Sequence, residues 1–146
     1  VTTVKDQFNR DTVLDLIKIK EKIVPVGRLD MYTSGALILS NDGEFIYKVT
    51  HPKYEIEKAY NVTLKGKITK EEIEMLEKGV KIDDDISRIE ITIHEGKNRE
   101  VRKMCNAIGK KVLALHRSRI GNINVKDLKL GEWKYLKSGQ IKELIK

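Results

Sequence analysis

The chain has 146 residues, with 29 Lys and Arg against 22 Asp and Glu, a net charge of +7 and one cysteine. That length suits a single compact domain over 1–146, and a lone thiol excludes both a disulfide framework and a thiolate metal cluster, so a reducing cytoplasm is the expected setting. No apolar run is long enough to span a membrane, and the bases thicken between Lys97 and Arg119, which points to a polyanion such as RNA before a lipid surface.

Val1 to Val4 alternates like a strand, and Thr12 to Ile17 reads as a short helix with Asp11 or Thr12 as its cap. Ile23, Val24 and Val26 form an apolar strand that meets a tight turn at Gly27. Asp30 follows in a loop, and the run Ala36 to Leu39 makes a second apolar strand. An acid at a sheet edge between apolar walls can be held in place for chemistry. An Asx-turn residue ending a strand is the plainer alternative.

Asn41-Asp42-Gly43 signals a turn into a short helix over 44–49, with Phe45, Ile46 and Val49 facing one way. His51-Pro52 ends it, because the residue before a proline is pushed out of the helical region. From Ile56 to Leu64 the period changes to two, with Tyr60, Val62 and Leu64 on one face. Thr69-x-x-Glu72 is a capping box, with Ile68 and Ile73 as the matching staple, for a helix finishing near Gly79.

The acidic link 81–87 leads to a strand with Ile89, Ile91 and Ile93 inward. Asn98 can cap a helix from Arg99 to Ile108, closed by Gly109. Lys111 to Ile120 returns to strand, with Leu113, Leu115, Arg117 and Arg119 expected on one face. Gly131 to Leu136 reads as a last strand, and Ser138 as the cap of a C-terminal helix through Ile145. Short strands with single helices make an α+β pattern: one mixed, mainly antiparallel sheet with flanking helices on one side and a cleft on the other.

Four features could carry chemistry. Asp30 is the first. Tyr60, in a strand otherwise filled by aliphatics, is the second, although a core tyrosine with its hydroxyl at the rim is the ordinary reading. The third is the helix opening Asn98-Arg99-Glu100-Val101-Arg102-Lys103. Cations in the first turns of a helix oppose its dipole, so an anion there makes the arrangement sensible. Arg102 has apolar neighbours and could turn into the cleft to meet a carboxylate, while Lys97, Arg99 and Lys103 are RNA contacts or simply a solvated basic face. The fourth is His116-Arg117-Ser118-Arg119, whose two arginines could contact phosphates. His51, His94 and His116 have no ligand spacing, and no P-loop, dinucleotide glycine fingerprint, zinc or calcium signature is present. Neither metal nor cofactor is called for.

Gly27-Arg28-Leu29-Asp30 with Thr33-Ser34-Gly35, Leu39 to Gly43, Thr50-His51-Pro52-Lys53-Tyr54, Glu57-Lys58-Ala59-Tyr60, Glu95 to Met104, Leu115-His116-Arg117 and Leu130 to Trp133 stand in this order. Together, over nearly the whole chain, they resemble the RsuA/RluB-type ribosomal RNA pseudouridine synthases. The resemblance implies the pseudouridine synthase fold and isomerisation of a chosen uridine in rRNA with no cofactor or metal, and a monomer is expected. Large-subunit rRNA is expected before small-subunit rRNA. The family's catalytic carboxylate falls on Asp30, and its stacking tyrosine, a candidate base for the C5 proton, on Tyr60. The arginine that pairs with the acid falls on Arg102, and the residue that helps displace the target base on Arg28.

The residue types suit that chemistry. The bond to N1 breaks, uracil turns, and C5 joins C1′, while a carboxylate either attacks C1′ or assists loss of the 2′ proton. An ionised acid in an apolar pocket needs a cation beside it. A non-catalytic RNA-binding module is the rival reading. Two departures from the family pattern stand out. The small S4-type RNA-binding domain that usually precedes this one is absent, so a catalytic domain cut from a longer protein is expected. The stretch from Val80 to Ser87 is also short, which makes the joint over 83–86 either a deletion or an omitted loop.

Overall fold

The computed structural model describes residues 22–29, 32–66, 68–75, 81–82, 88–94 and 100–146. The expected strand at 1–4, the helix at 12–17, the Asn98 cap, the end of the helix near Gly79 and the joint over 83–86 lie outside the described residues.

Two sheets share the work. Strands β1 (Val24–Val26) and β3 (Ile38–Ser40) pair antiparallel, with Val26 opposite Ile38. Among the described residues the larger sheet has six strands. It runs β2 (Thr33–Gly35), β7 (Val112–Ile120), β4 (Lys58–Leu64), β6 (Arg88–Ile93) and β5 (Lys81–Ile82), and β8 (Ile123–Asn124) pairs with β7. Only β2 runs parallel to its neighbour; every other pairing is antiparallel. The expected α+β class with a mixed, mainly antiparallel sheet is what forms.

Local chemistry places the helices. Helix α1 (Gly43–Thr50) starts where Asp42 accepts from the backbone N–H groups of Glu44 and Phe45, and it buries Phe45 and Val49. It stops at His51, which is extended at φ −74° and ψ 129°, as a following proline requires. A single 3-10 turn, Pro52–Tyr54, follows. Helix α2 (Lys70–Met75) opens on the expected capping box, in which Glu72 N–H donates to Thr69 Oγ1 at 3.1 Å and Thr69 N–H to Glu72 Oε1 at 3.0 Å. Those contacts and Lys110 hold the Glu72 carboxyl below its ordinary range, the Thr69 backbone bond being the chief cause. Helix α3 (Glu100–Ala107) buries Val101 and Cys105 and ends at Gly109, whose φ of +74° suits glycine.

Two apolar cores result. Val62, Leu64, Ile68, Ile89, Ile91, Ile93 and Leu115 close with Val101 and Cys105 of α3 on one face of the large sheet. Val26, Ala36, Ile38, Phe45 and Val49 meet Ile120, Ile123 and Leu144 in the other. Burial pushes the Cys105 thiol up to about 11, the charge of Arg102 pulling the other way.

Three expectations fail. Residues 131–136 form no strand: the segment pairs with no other strand among the described residues, and the Trp133 and Tyr135 rings stand edge to face at 5.3 Å. Helix α4 (Ser138–Leu144) is capped by Lys137 and not Ser138, with Lys137 N–H donating to the Gln140 side chain at 2.9 Å. The face along β7 also breaks, because its register against β4 shifts between Ala59 and Tyr60 and again between Thr63 and Leu64. Each shift gives β7 one residue more than β4, Ser118 and Leu113 respectively, and Leu113 turns outward.

The parallel pair β2–β7 demands a glycine. A Cβ on Gly35, at φ +118°, would lie 2.1 Å from the Arg117 carbonyl oxygen and 2.6 Å from its nitrogen. Gly35→Ala should therefore cost at least about 3 kcal/mol in urea unfolding, whereas Gly43→Ala, with nothing within 4 Å, should be neutral or stabilising by up to about 1 kcal/mol. Cys105 in the folded protein should resist a thiol reagent at mildly alkaline pH and react fully once urea unfolds the chain.

Candidate active site

The site grows from one row of registered residues. Gly35 pairs with Arg117, Arg117 with Tyr60, and Tyr60 with Ile91, across β2, β7, β4 and β6. Residues directly opposite in antiparallel strands share a face. Tyr60, Val62 and Leu64 therefore lie on the same side as Arg117, Leu115 and Val112. This is the face on which α3 packs, and Tyr60, half-buried, rests against that apolar cluster.

The loop that carries Asp30 connects the end of β1 to the start of β2. Asp30 itself lies outside the described residues, and the loop's two shoulders do not. Arg117, 4% exposed, is the one buried charged side chain among the described residues. Its Nε and Nη2 donate to the Ala36 carbonyl at 2.9 and 2.7 Å, and Nη1 donates to the Arg28 carbonyl at 3.3 Å. From the other side, Arg102 on α3 donates through Nη2 to the Tyr32 carbonyl at 3.0 Å and to Thr33 Oγ1 at 3.3 Å. Ser34 Oγ and His116 Nδ1 stand 2.8 Å apart, and the Ala36 N–H donates to the Arg117 carbonyl at 2.7 Å. Two guanidinium groups from different elements thus clasp the segment 28–36 by its backbone.

A third cation stands close by. Lys58, two residues before Tyr60 on β4, is half-buried, and its ammonium is held below the usual lysine range. Burial is the main cause and the charge of Arg117 the next, with the Glu100 carboxylate opposing both. Positive charge converging at the root of the loop produces a field that favours an anion there.

The predicted site residues divide. Arg102 bonds the Tyr32 carbonyl and the Thr33 hydroxyl beside the Asp30 loop, while its expected pairing with the Asp30 carboxylate falls outside the described residues. Arg28 and Lys103 are exposed and able to meet RNA, while Lys97 and Arg99 lie outside the described residues. Arg117 requires correction. It cannot serve as a phosphate contact, because its guanidinium is buried and committed to loop carbonyls. Nor does it share a face with Arg119: Ala59 opposes Arg119 and Tyr60 opposes Arg117, so the bulge at Ser118 sends the two side chains to opposite sides of the sheet. Arg119 Nη1 donates to the Gly121 carbonyl at 2.7 Å and meets Glu57 at 3.4 Å, and a phosphate there would compete with that carboxylate.

Sequence reasoning missed the internal role of Arg117 and the part taken by Lys58. A signal for the first was present, since Arg117 stands in a strand between apolar Leu115 and Ile120. Among the described residues no helix is long and apolar enough to cross a membrane.

Residues 2–107 match the RNA pseudouridylate synthase family. The chain is 38% identical, over 99% of its length and 66% of the relative's, to a protein named ribosomal large subunit pseudouridine synthase B from Bacillus subtilis. It is 35% identical, over 97% of its length and 68% of the relative's, to one named ribosomal small subunit pseudouridine synthase A from Vibrio cholerae. The chain thus spans about two thirds of the length of these curated relatives. The aligned stretch with the first is 162 residues, more than the 146 present here, so that relative carries additional residues within the matched region. A solved structure titled as a pseudouridylate synthase superposes with a TM-score of 0.83 at 30% identity, covering 91% of this chain and 65% of that one. On sequence and on fold, the chain belongs to the RNA pseudouridylate synthase family.

Proposed function

We propose that this chain isomerises uridine to pseudouridine in ribosomal RNA, with Asp30 as the catalytic carboxylate, and that its target lies in the large-subunit RNA. The observation that carries the reading is the double clasp: Arg117 and Arg102 hold both sides of the Asp30 loop beside a half-buried tyrosine in the same registered row. Family membership supplies the chemistry that such a clasp serves. The relative of higher identity among the two described, named for the large subunit, supports the choice of RNA.

In this reading the N1–C1′ bond breaks, the freed uracil turns against Tyr60, and a C5–C1′ bond replaces it. Asp30 engages the sugar, and the C5 proton passes to a base, for which Tyr60 is the candidate. Nothing is gained or lost overall, so no co-substrate is consumed. Arg102 and Arg117 keep the acid ionised and its loop in place, with Lys58 adding to the field. Arg28, Lys97, Arg99 and Lys103 supply RNA contacts, and in this reading Arg28 helps displace the base from its stack, a step that costs a few kcal/mol. The partner is rRNA, met by a monomer in the cytoplasm.

Asp30→Asn should lower turnover on rRNA from a strain lacking the gene by at least about 10⁴-fold, while leaving RNA affinity within a few-fold. Mapping pseudouridine in both rRNAs of that strain identifies the target. Product from the Asp30→Asn protein at the wild-type rate would overturn the role of Asp30, and a missing modification in small-subunit RNA would overturn the choice of subunit.

The two classes of cation should separate by salt. Lys103→Ala or Arg28→Ala should weaken RNA binding and lower the magnitude of its log–log salt slope by about 0.7. Arg117→Met should leave that slope unchanged while destabilising the fold by about 1–3 kcal/mol, since the Ala36 carbonyl is left buried and unsatisfied.

A further inference from the structure

The segment Thr50 to Tyr54 serves neither the cores nor the chemistry above, yet it is arranged. The last turn of α1 and the 3-10 turn after it bring three aromatic rings together. Tyr47 and His51 lie 4.8 Å apart between centroids at 43°, and Tyr54 stands edge-on to both, at 6.0 Å and 83° to Tyr47 and at 6.4 Å and 80° to His51. The Lys53 ammonium sits 5.8 Å from the Tyr47 ring centre and 5.1 Å from that of Tyr54. Lys53 N–H donates to His51 Nδ1 at 3.2 Å.

These rings are surface rather than core. Tyr47 is 47% exposed and Tyr54 38%, while Phe45 and Val49 take the buried side of the same helix. The patch also adjoins the site. The Thr50 methyl stands 3.9 Å from where a Cβ on Gly27 would lie, at the turn that leads into Arg28 and Asp30.

Accessible aromatic faces with a lysine shared between two of them match what an unpaired nucleotide offers, a π face and a phosphate. We propose that Tyr47, His51 and Tyr54, with Lys53, form a stacking subsite for an unpaired nucleotide flanking the reacting uridine. The proposal rests on the isomerase reading for what lies next door, and a chain of net charge +7 favours RNA over a protein partner at this patch.

The test uses fluorescence anisotropy with a short labelled oligouridylate and with an abasic ribose-phosphate chain of equal length. The Tyr47→Leu/Tyr54→Leu protein should bind oligouridylate about ten-fold more weakly than wild type and the abasic chain equally well, and Tyr54→Trp should restore binding. Equal losses on both probes, or no loss on either, would overturn the subsite. Should circular dichroism show the double variant unfolded, Tyr54→Leu alone carries the same comparison. Product formation on rRNA is scored separately. A wild type that makes no pseudouridine overturns the isomerase reading and leaves the binding comparison standing. Wild-type turnover by the double variant at subsaturating rRNA overturns the subsite and leaves the isomerase reading intact.

Discussion

A buried guanidinium bonded to two backbone carbonyls joins the halves of this molecule. Arg117 belongs to the large sheet, while Arg28 and Ala36 border the β1–β3 hairpin and the loop between them. A charge taken out of water is costly unless its donors are satisfied. Here bonds to the Ala36 and Arg28 carbonyls, on either side of the Asp30 segment, supply the donors' partners, so the arrangement that suits the arginine also ties down both ends of that segment. Gly35 makes the approach sterically feasible, because any side chain at that position would collide with the Arg117 backbone.

One extra residue decides how the cations are used. Without the bulge at Ser118, Arg117 and Arg119 would project from the same face. The bulge turns Arg117 toward Tyr60 and α3, and Arg119 toward Glu57 and Gly121. Bulges re-aim side chains in this way wherever a strand must serve two surfaces. Among the described residues the basic stretch divides by use: Arg117 and Arg102 hold a loop, Arg119 holds a turn, Lys110 pairs with Glu72, and Lys103 faces water.

The same economy explains why the site tolerates so many positive charges. Arg102, Arg117 and Lys58 gather near the root of one loop, and burial first, then the charge of Arg117, holds the Lys58 ammonium below the usual lysine range. For Lys58 the folded value lies below the unfolded one, so its contribution to stability improves as pH rises through that interval.

Much of the fold was legible because it is local. The Asp42 cap, the Thr69–Glu72 box, the break at His51-Pro52 and the alternation of Tyr60, Val62, Leu64 and of Ile89, Ile91, Ile93 depend on residues a few positions apart. Asp30, Tyr60, Arg28 and Arg102 were singled out from residue type, spacing and family resemblance, and Arg102 does bond Tyr32 and Thr33 beside the Asp30 loop. What the chain's order could not express was register. A bulge leaves no composition signal, so the side on which Arg117 points, its burial and its grip on Arg28 and Ala36 emerge only when β7 lies between β2 and β4. The missing strand at 131–136 has the same origin, since a strand exists only where another offers it hydrogen bonds. Residue identity determined which groups were available for chemistry; pairing across the sheet decided which of them meet, because a one-residue offset reverses every side chain beyond it.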